Sequence, residues 1–308
     1  MDKMVKILQI CLLIVLLVLL FGILMWGMNK DKFTFNSETK QVKNETISLE
    51  NIDQINFSTK SNDVEVYVSN TNELRVVQYS SKKTKEKDLF TLKKENNTLK
   101  IEDNYNDFCV GFCFNVGARY EIYLPNTYTK NLSINEISGD ITIDELDINL
   151  NNLTLNTTSG DIEIKSNIKA NNIKIDTKSG EIQTNNLSAN NINIQSISGD
   201  LYLESLTGKD IYLHTISGEV EVNKAVGKLD IKTTSGDIEI EHFTIKDNSK
   251  IASTSGEINV NLNHDSHCNV LLNSVSGDKN LPNNSSLVGK GTYKLEINTT
   301  SGDIEVND

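Results

Sequence analysis

Thr158-Ser159-Gly160-Asp161-Ile162-Glu163-Ile164 decides the reading of this chain, because it recurs. Ser-Gly followed by an acid stands at Ser138, Ser159, Ser179, Ser198, Ser217, Ser235, Ser255, Ser276 and Ser301, at intervals of 21, 20, 19, 19, 18, 20, 21 and 25 residues. Self-similarity at such a period fixes an architecture before any single residue is interpreted. Six and four residues before the serine lie Leu153 and Leu155, Ile173 and Ile175, Ile192 and Ile194, Ile211 and Leu213, Leu229 and Ile231. Three and five residues after it lie Ile162 and Ile164, Leu201 and Leu203, Val220 and Val222, Ile238 and Ile240. A spacing of two is the strand period, so each repeat holds two short strands with one buried face.

Ser-Gly-Asp is then the corner between the strands. Gly139, Gly160, Gly180, Gly199, Gly218, Gly236, Gly256, Gly277 and Gly302 are expected there for their access to positive φ. Asn151-Asn152, Asn171-Asn172 and Asn190-Asn191 mark a second corner, since Asn tolerates the left-handed region. Leu146, Ile168, Leu187, Leu206 and Phe243 are expected to line a third side. A unit with three corners is one coil of a parallel β-solenoid. Ten coils at the strand spacing of ~4.8 Å make a tube ~45–50 Å long. The rival is an antiparallel sandwich or barrel with Ser-Gly-Asp as its hairpin turn. Hairpins tolerate drift in strand length and do not predict the same apolar offsets from copy to copy, so an all-β parallel solenoid is expected.

The flanks differ from the repeats. Thr46 to Val66 reads as an opening coil, with Ser61-Asn62-Asp63 at the corner and Ile55, Phe57, Val64 and Val66 at the apolar offsets. Asn70 to Asn126 breaks the period and is expected to cap the tube, with strands around Leu74-Val76, Phe90-Leu92, Leu99-Ile101 and Tyr120-Leu124. Near the end, Lys279 takes an apolar slot and Leu281 to Gly291 forms a loop. Glu305 and Asp308 are expected to guard the last edge by charge. Ile7 to Met28 is apolar except for Gln9 and two glycines. At ~1.5 Å per residue it spans ~33 Å, enough for a bilayer core. It offers no clean cleavage site, which favours an uncleaved anchor. Lys3 and Lys6 before it are matched by Lys30 and Lys32 after it, so charge does not orient it.

Composition excludes some functions. The 308 residues carry a net charge of −12, and residues 130 to 308 contain no arginine. A nucleic-acid binder needs a basic face, so nucleic acid is not an expected partner. The acids Asp140, Asp161, Glu181, Asp200, Glu219, Asp237, Glu257, Asp278 and Asp303 form one column. Asp140, Asp161, Asp200 and Asp237 are the candidates for a Ca²⁺ ladder. The plainer and favoured reading is a solvated corner whose Asp caps its own turn, with no metal and no cofactor. Cys109 and Cys113 are a disulfide candidate if Val110-Gly111 turns, and two buried thiols if it does not. His264-Asp265-Ser266-His267-Cys268 holds zinc-ligand types, but no second cluster completes a shell. Glu163, Glu204, Glu221 and Glu239 could supply acid–base pairs for polysaccharide cleavage. They are spread evenly, as on a solvated face, and Tyr202 and Tyr212 are the few aromatics near them.

Strand, Ser-Gly-Asp, strand, repeated behind an N-terminal anchor, resembles the bacterial "putative adhesin" family of domains of unknown function, over roughly Thr46 to Asp308. The resemblance implies an envelope protein with a parallel β-solenoid, no established catalytic residues and no established ligand. It also implies an N-terminus inside the cell and a solenoid outside, and some relatives sit in operons that respond to envelope stress. The expected organisation is a cytoplasmic segment at 1–6, a transmembrane signal anchor at 7–28, a stalk at 29–45 and the solenoid at 46–308. Within the solenoid, 46–130 is the irregular opening and capping region and 131–308 the regular repeats. The expected function is a non-enzymatic envelope-binding or structural module. Its partner would be a cell-wall polymer or a membrane protein of an envelope-stress system. A carbohydrate-active β-helix enzyme is the alternative from another class.

Overall fold

The computed structural model describes residues 39–81, 84–104, 118–144, 147–282 and 285–308. The anchor expected at 7–28 and the disulfide candidates Cys109 and Cys113 lie outside these residues. Among the described residues no helix is long and apolar enough to cross a membrane.

The fold is all β and solenoid-like. Successive repeats pair in parallel and in register. Leu153 and Leu155 lie between Leu132 and Ile134 on one side and Ile173 and Ile175 on the other. Ile162 pairs with Ile141 and with Ile182. The same ladder runs on through Ile182, Leu201, Val220, Ile238 and Ile258. These side chains are fully buried and form continuous aliphatic columns. Burying one such side chain stabilises the fold by roughly 1.5–3 kcal/mol. The third side is lined by Ile148, Ile168, Leu187, Leu206, Ala225 and Phe243, paired in that order. Ile148 holds the rung that the sequence assigned to Leu146, which lies outside the described residues. Ala225 beneath Phe243 matches a small side chain to a large one.

The corners are built differently from the sequence expectation. Ser159, Ser179, Ser198, Ser217, Ser235, Ser255 and Ser301 form a ladder of parallel bridges. Of the corner glycines, Gly236, Gly256, Gly277 and Gly302 have φ of 143° to 157°, while Gly139, Gly160, Gly180, Gly199 and Gly218 lie outside the left-handed range. What every repeat shares is close approach. A Cβ on Gly160 would overlap the carbonyl oxygen of Gly139, one on Gly180 that of Gly160, and so on up the stack. Glycine is required because backbone packs on backbone, not mainly to reach positive φ. The Asn pairs also need correction. They lie inside strands, and the described non-glycine residues with positive φ are Asn51 and Asn96. Asn152, Asn172 and Asn191 instead donate their side-chain amides to Asn131, Asn152 and Asn172, each at 2.7 Å. In-register stacking places identical amides one above another, and each satisfies the next.

Both ends depart from sequence order. Gln54–Ser58 stacks directly on Asn131–Asn135, and Asp63–Ser69 on Ile141–Asp144. The segment between them in sequence goes outside: Thr98–Glu102 covers Gln54–Ser58, and Ala118–Pro125 covers Asp63–Ser69. Antiparallel strands complete this end, with Thr91–Glu95 on Thr98–Glu102, Glu73–Ser80 on Ala118–Pro125 and Lys40–Ser48 on Glu73–Ser80. Lys40 to Glu45, read in sequence as the end of a stalk, are therefore part of the fold. The other end mirrors this arrangement. The last stretch of chain, Tyr293–Ser301 and Ile304–Asn307, inserts between Ser249–Ala252 and Ile258–Leu262 on one side and Cys268–Ser276 and Lys279–Asn280 on the other. Glu305 thus pairs inside the stack, between Asn259 and Asn280, and the terminal edge belongs to 268–280. Lys279 sits over Ile304 in that outermost layer, which explains a charge in an apolar slot.

Candidate functional site

The acidic column is a structural clasp. The backbone N–H of Asp161 donates to Asp140 Oδ1 at 2.9 Å, and that of Glu181 donates to Asp161 Oδ1 at 2.8 Å. Glu219 donates likewise to Asp200 at 2.8 Å, Glu257 to Asp237 at 2.7 Å and Asp278 to Asp303 at 2.8 Å. Each Asp caps the neighbouring coil, not its own turn as expected. The acceptor is Asp in every one of these bonds, because its shorter arm holds the carboxylate against the next backbone. Burial, followed by the flanking Asp charges, raises the carboxyl pKa values of Glu181 and Glu219. Shallow grooves of about 270 and 260 Å³ follow this face, lined by Asp161, Glu163 and Glu181 and by Tyr202, Glu204 and Glu221. Among the described residues no group of three or more His, Cys, Asp or Glu is placed to hold a metal ion.

At the zinc-like cluster, Ser266 Oγ accepts the N–H of Ile245 at 3.2 Å and donates to Phe243 O at 2.9 Å. His267 Nδ1 accepts the N–H of Lys290. Cys268 is a buried free thiol whose pKa burial pushes up to about 11. These residues close a corner.

Two constellations escaped the sequence. The first is a platform on the outer face near the N-terminal end. Tyr67 stacks on Tyr123 with ring centres 5.3 Å apart, and the Arg75 guanidinium lies 3.7 Å above the Tyr123 ring. The Arg119 guanidinium lies 4.6 Å from the Tyr79 ring and bonds Glu121 at 2.7 Å. Glu121 accepts the hydroxyls of Tyr79 and Tyr123 at 3.0 and 2.8 Å, and Glu65 accepts that of Tyr67 at 2.8 Å. Burial, then these carboxylates, raises the pKa values of all three tyrosines, so they remain hydroxyl donors. Arg75 and Arg119 are the chain's two arginines, and both serve here. Register assembles the group: Tyr67 faces Tyr123, Arg75 faces Tyr123, and Tyr79 faces Arg119. The acidic and amide rows continue from it, since Glu65 and Tyr67 pair with Thr142 and Asp144. Tyr–Arg groups of this kind recur as anchors in protein recognition surfaces.

The second is a buried polar network. Asp103 accepts Tyr120 Oη at 2.7 Å, Asn62 Nδ2 at 2.6 Å and Thr59 Oγ1 at 3.0 Å. Beside it Glu136, 5% exposed, accepts the N–H of Asn62 at 3.0 Å. Other repeats place a buried Thr or Ser there, such as Thr157, Thr177 and Ser196. Glu136 Oε2 is buried without a hydrogen-bond partner. Burial pushes its pKa up to about 8, with the Asp63, Asp140 and Asp103 charges adding to the shift and the Asn62 N–H opposing it.

Residues 52–307 match the family described as Toastrack DUF4097. No curated protein matches the chain. Similar solved structures include a "putative adhesin" from Bacteroides fragilis NCTC 9343, 17% identical with a TM-score of 0.46, covering 87% of this chain and 97% of that one. Another "putative adhesin", from Parabacteroides merdae ATCC 43184, is 9% identical with a TM-score of 0.41, covering 86% and 95%. A "putative lipid binding protein" from Parabacteroides distasonis ATCC 8503 is 18% identical with a TM-score of 0.39, covering 88% and 95%.

Proposed function

The chain belongs to the Toastrack DUF4097 family, a domain of unknown function, and from that premise we propose that it is a non-enzymatic binding module of the bacterial cell envelope. Residues 7–28 anchor it in the membrane, residues 1–6 lie in the cytoplasm, and the parallel β-solenoid stands outside. The observation that supports binding is the platform of Tyr67, Tyr79, Tyr123, Arg75 and Arg119, continued by rows of acids and amides at coil spacing. Each ring of this platform already has a neighbour on a face, Tyr123 on Tyr67, Arg75 on Tyr123 and Arg119 on Tyr79. What it offers a partner is hydroxyl rims, guanidinium N–H groups and carboxylates held in fixed positions. Such a surface fits a hydroxyl-rich, extended cell-wall polymer lying along the tube. A rigid array also loses little conformational entropy on binding.

The test is binding of the full chain in lipid nanodiscs to isolated cell wall and its component polymers. Saturable binding that Arg75→Ala and Tyr123→Ala weaken supports the reading. Wild-type chain that leaves every polymer unbound overturns it and moves the search to a membrane-protein partner.

A further inference from the structure

The two ends of the stack are finished differently. At the N-terminal end the outermost strands, Lys40–Ser48 and Thr91–Glu95, carry Lys40, Lys43, Glu45, Lys93, Lys94 and Glu95. Charges on an edge strand oppose its pairing with another chain. At the far end the outermost strand, Cys268–Ser276, carries no charge. Its inner edge is paired along its length with Tyr293–Ser301. On its outer edge Leu287–Val288 covers Cys268 and Asn269, and Val270 gives its N–H to Ser286 O at 2.7 Å. Beyond that point no strand among the described residues pairs with the outer edge. By the strand period, Leu272 and Ser274 turn their N–H and C=O to the same side as Val270. The flank of this strand is apolar, with Leu271 44% and Val275 84% exposed.

The Val270 N–H is taken by Ser286 O and the Ser276 C=O accepts the Gly302 N–H on the inner side at 3.0 Å, so the open groups are those of Leu272 and Ser274, and Asn273 is their midpoint. We propose that this edge pairs with the same edge of a second copy of the chain, antiparallel about a two-fold axis at Asn273. The strand is self-complementary in that register. Leu272 faces Ser274 of the other copy, and both present an outward N–H and C=O, so each such pair exchanges two hydrogen bonds. Leu271 meets Val275 of the other copy, which removes both side chains from water. Asn273 faces its own counterpart, and no like charges are brought together. A head-to-tail contact would instead set this neutral strand against the lysine-bearing edge. The two-fold contact closes at two copies and leaves no further open edge of this kind. An axis normal to the sheet also reverses the direction of the stack, so the two Lys40 residues lie at opposite extremities of the pair.

The full chain in detergent tests the pairing. Asn273→Cys should give a covalent dimer on mild oxidation, because facing residues of a non-hydrogen-bonded pair have Cα atoms ~4.5 Å apart, within disulfide range. Val275→Cys faces Leu271 and should give none. Val275→Lys alters a residue exposed in the single copy and should weaken dimerisation by about tenfold or more, with folding unchanged by circular dichroism. A wild-type chain that stays monomeric at high concentration, with no crosslink through Asn273→Cys, overturns the proposal. Open-ended oligomers overturn it as well. Polymer binding is read separately: Val275→Lys that still binds polymer upholds the binding reading whatever becomes of the dimer.

Discussion

Thr184 shows how strictly the columns are specified. It stands between Ile164 and Leu203, 1% exposed, and its hydroxyl has no partner. An unmated buried hydroxyl costs about 1–3 kcal/mol. Thr184→Val should therefore raise stability by about 1 kcal/mol in urea denaturation, and an unchanged midpoint would count against this account. Gly199→Ala should do the opposite, losing about 1–3 kcal/mol, because its Cβ would overlap Gly180 O. Glu136 adds a pH term. Its ordinary pKa of 4.5 rises to about 8 in the fold. Between those two values the folded chain holds a proton that the unfolded chain has released, so stability falls as pH rises through the window. Below the window the two states are equally protonated at this group and the penalty vanishes; above it the penalty is complete. Glu136→Gln should flatten that part of the pH–melting profile and stabilise the chain at alkaline pH by on the order of 2–4 kcal/mol. A profile of unchanged slope would refute the assignment. Glu181, Glu219 and Glu239 are also raised, so they tilt the profile in the same direction.

At the scale of elements, the swapped ends set a sharper test. Tyr293–Ser301 is sandwiched between Ser249–Ala252 and Cys268–Ser276. Deleting residues 292–308 should remove two interfaces, where trimming an ordinary terminal coil removes one. Hydrogen exchange should show protection lost across 249–280; continued protection of Cys268–Ser276 in the truncated chain would contradict the topology. The coils themselves were legible in the sequence because a parallel ladder repeats its apolar offsets, and Ile162, Ile182 and Leu201 keep theirs. Their order at the ends was not legible. Val270 and Leu295 satisfy the same column equally well, so periodicity cannot say which one lies outermost. The Asn ladder is visible in the sequence as Asn pairs, but a corner and a stacked amide share one composition, so the sequence does not separate them. The Tyr–Arg platform left no signal, because Tyr67, Arg75 and Tyr123 meet through pairings that lie outside the period.

Over the whole molecule the net charge is −12, and the acids of the solenoid column already have work to do. The clasping Asp residues each use one oxygen on a neighbouring N–H, at 2.7 to 2.9 Å from Asp140 to Asp237. Such a column should not depend on divalent cations. The melting temperature is expected to be the same in millimolar Ca²⁺ and in excess chelator, and a shift of several degrees would revive the Ca²⁺ ladder at Asp140, Asp161, Asp200 and Asp237.

The tucked C-terminal coil also bears on biosynthesis. Translation delivers Cys268–Asn280 before its inner neighbour exists, so the outermost layer must wait unpaired, or mispair with Ser249–Leu262, until Tyr293–Asn307 leaves the ribosome. Folding cannot simply zip along with synthesis. Residues 293–307 have to be delivered before the far end can close, and a product terminated ahead of them would expose two raw edges to quality-control proteases.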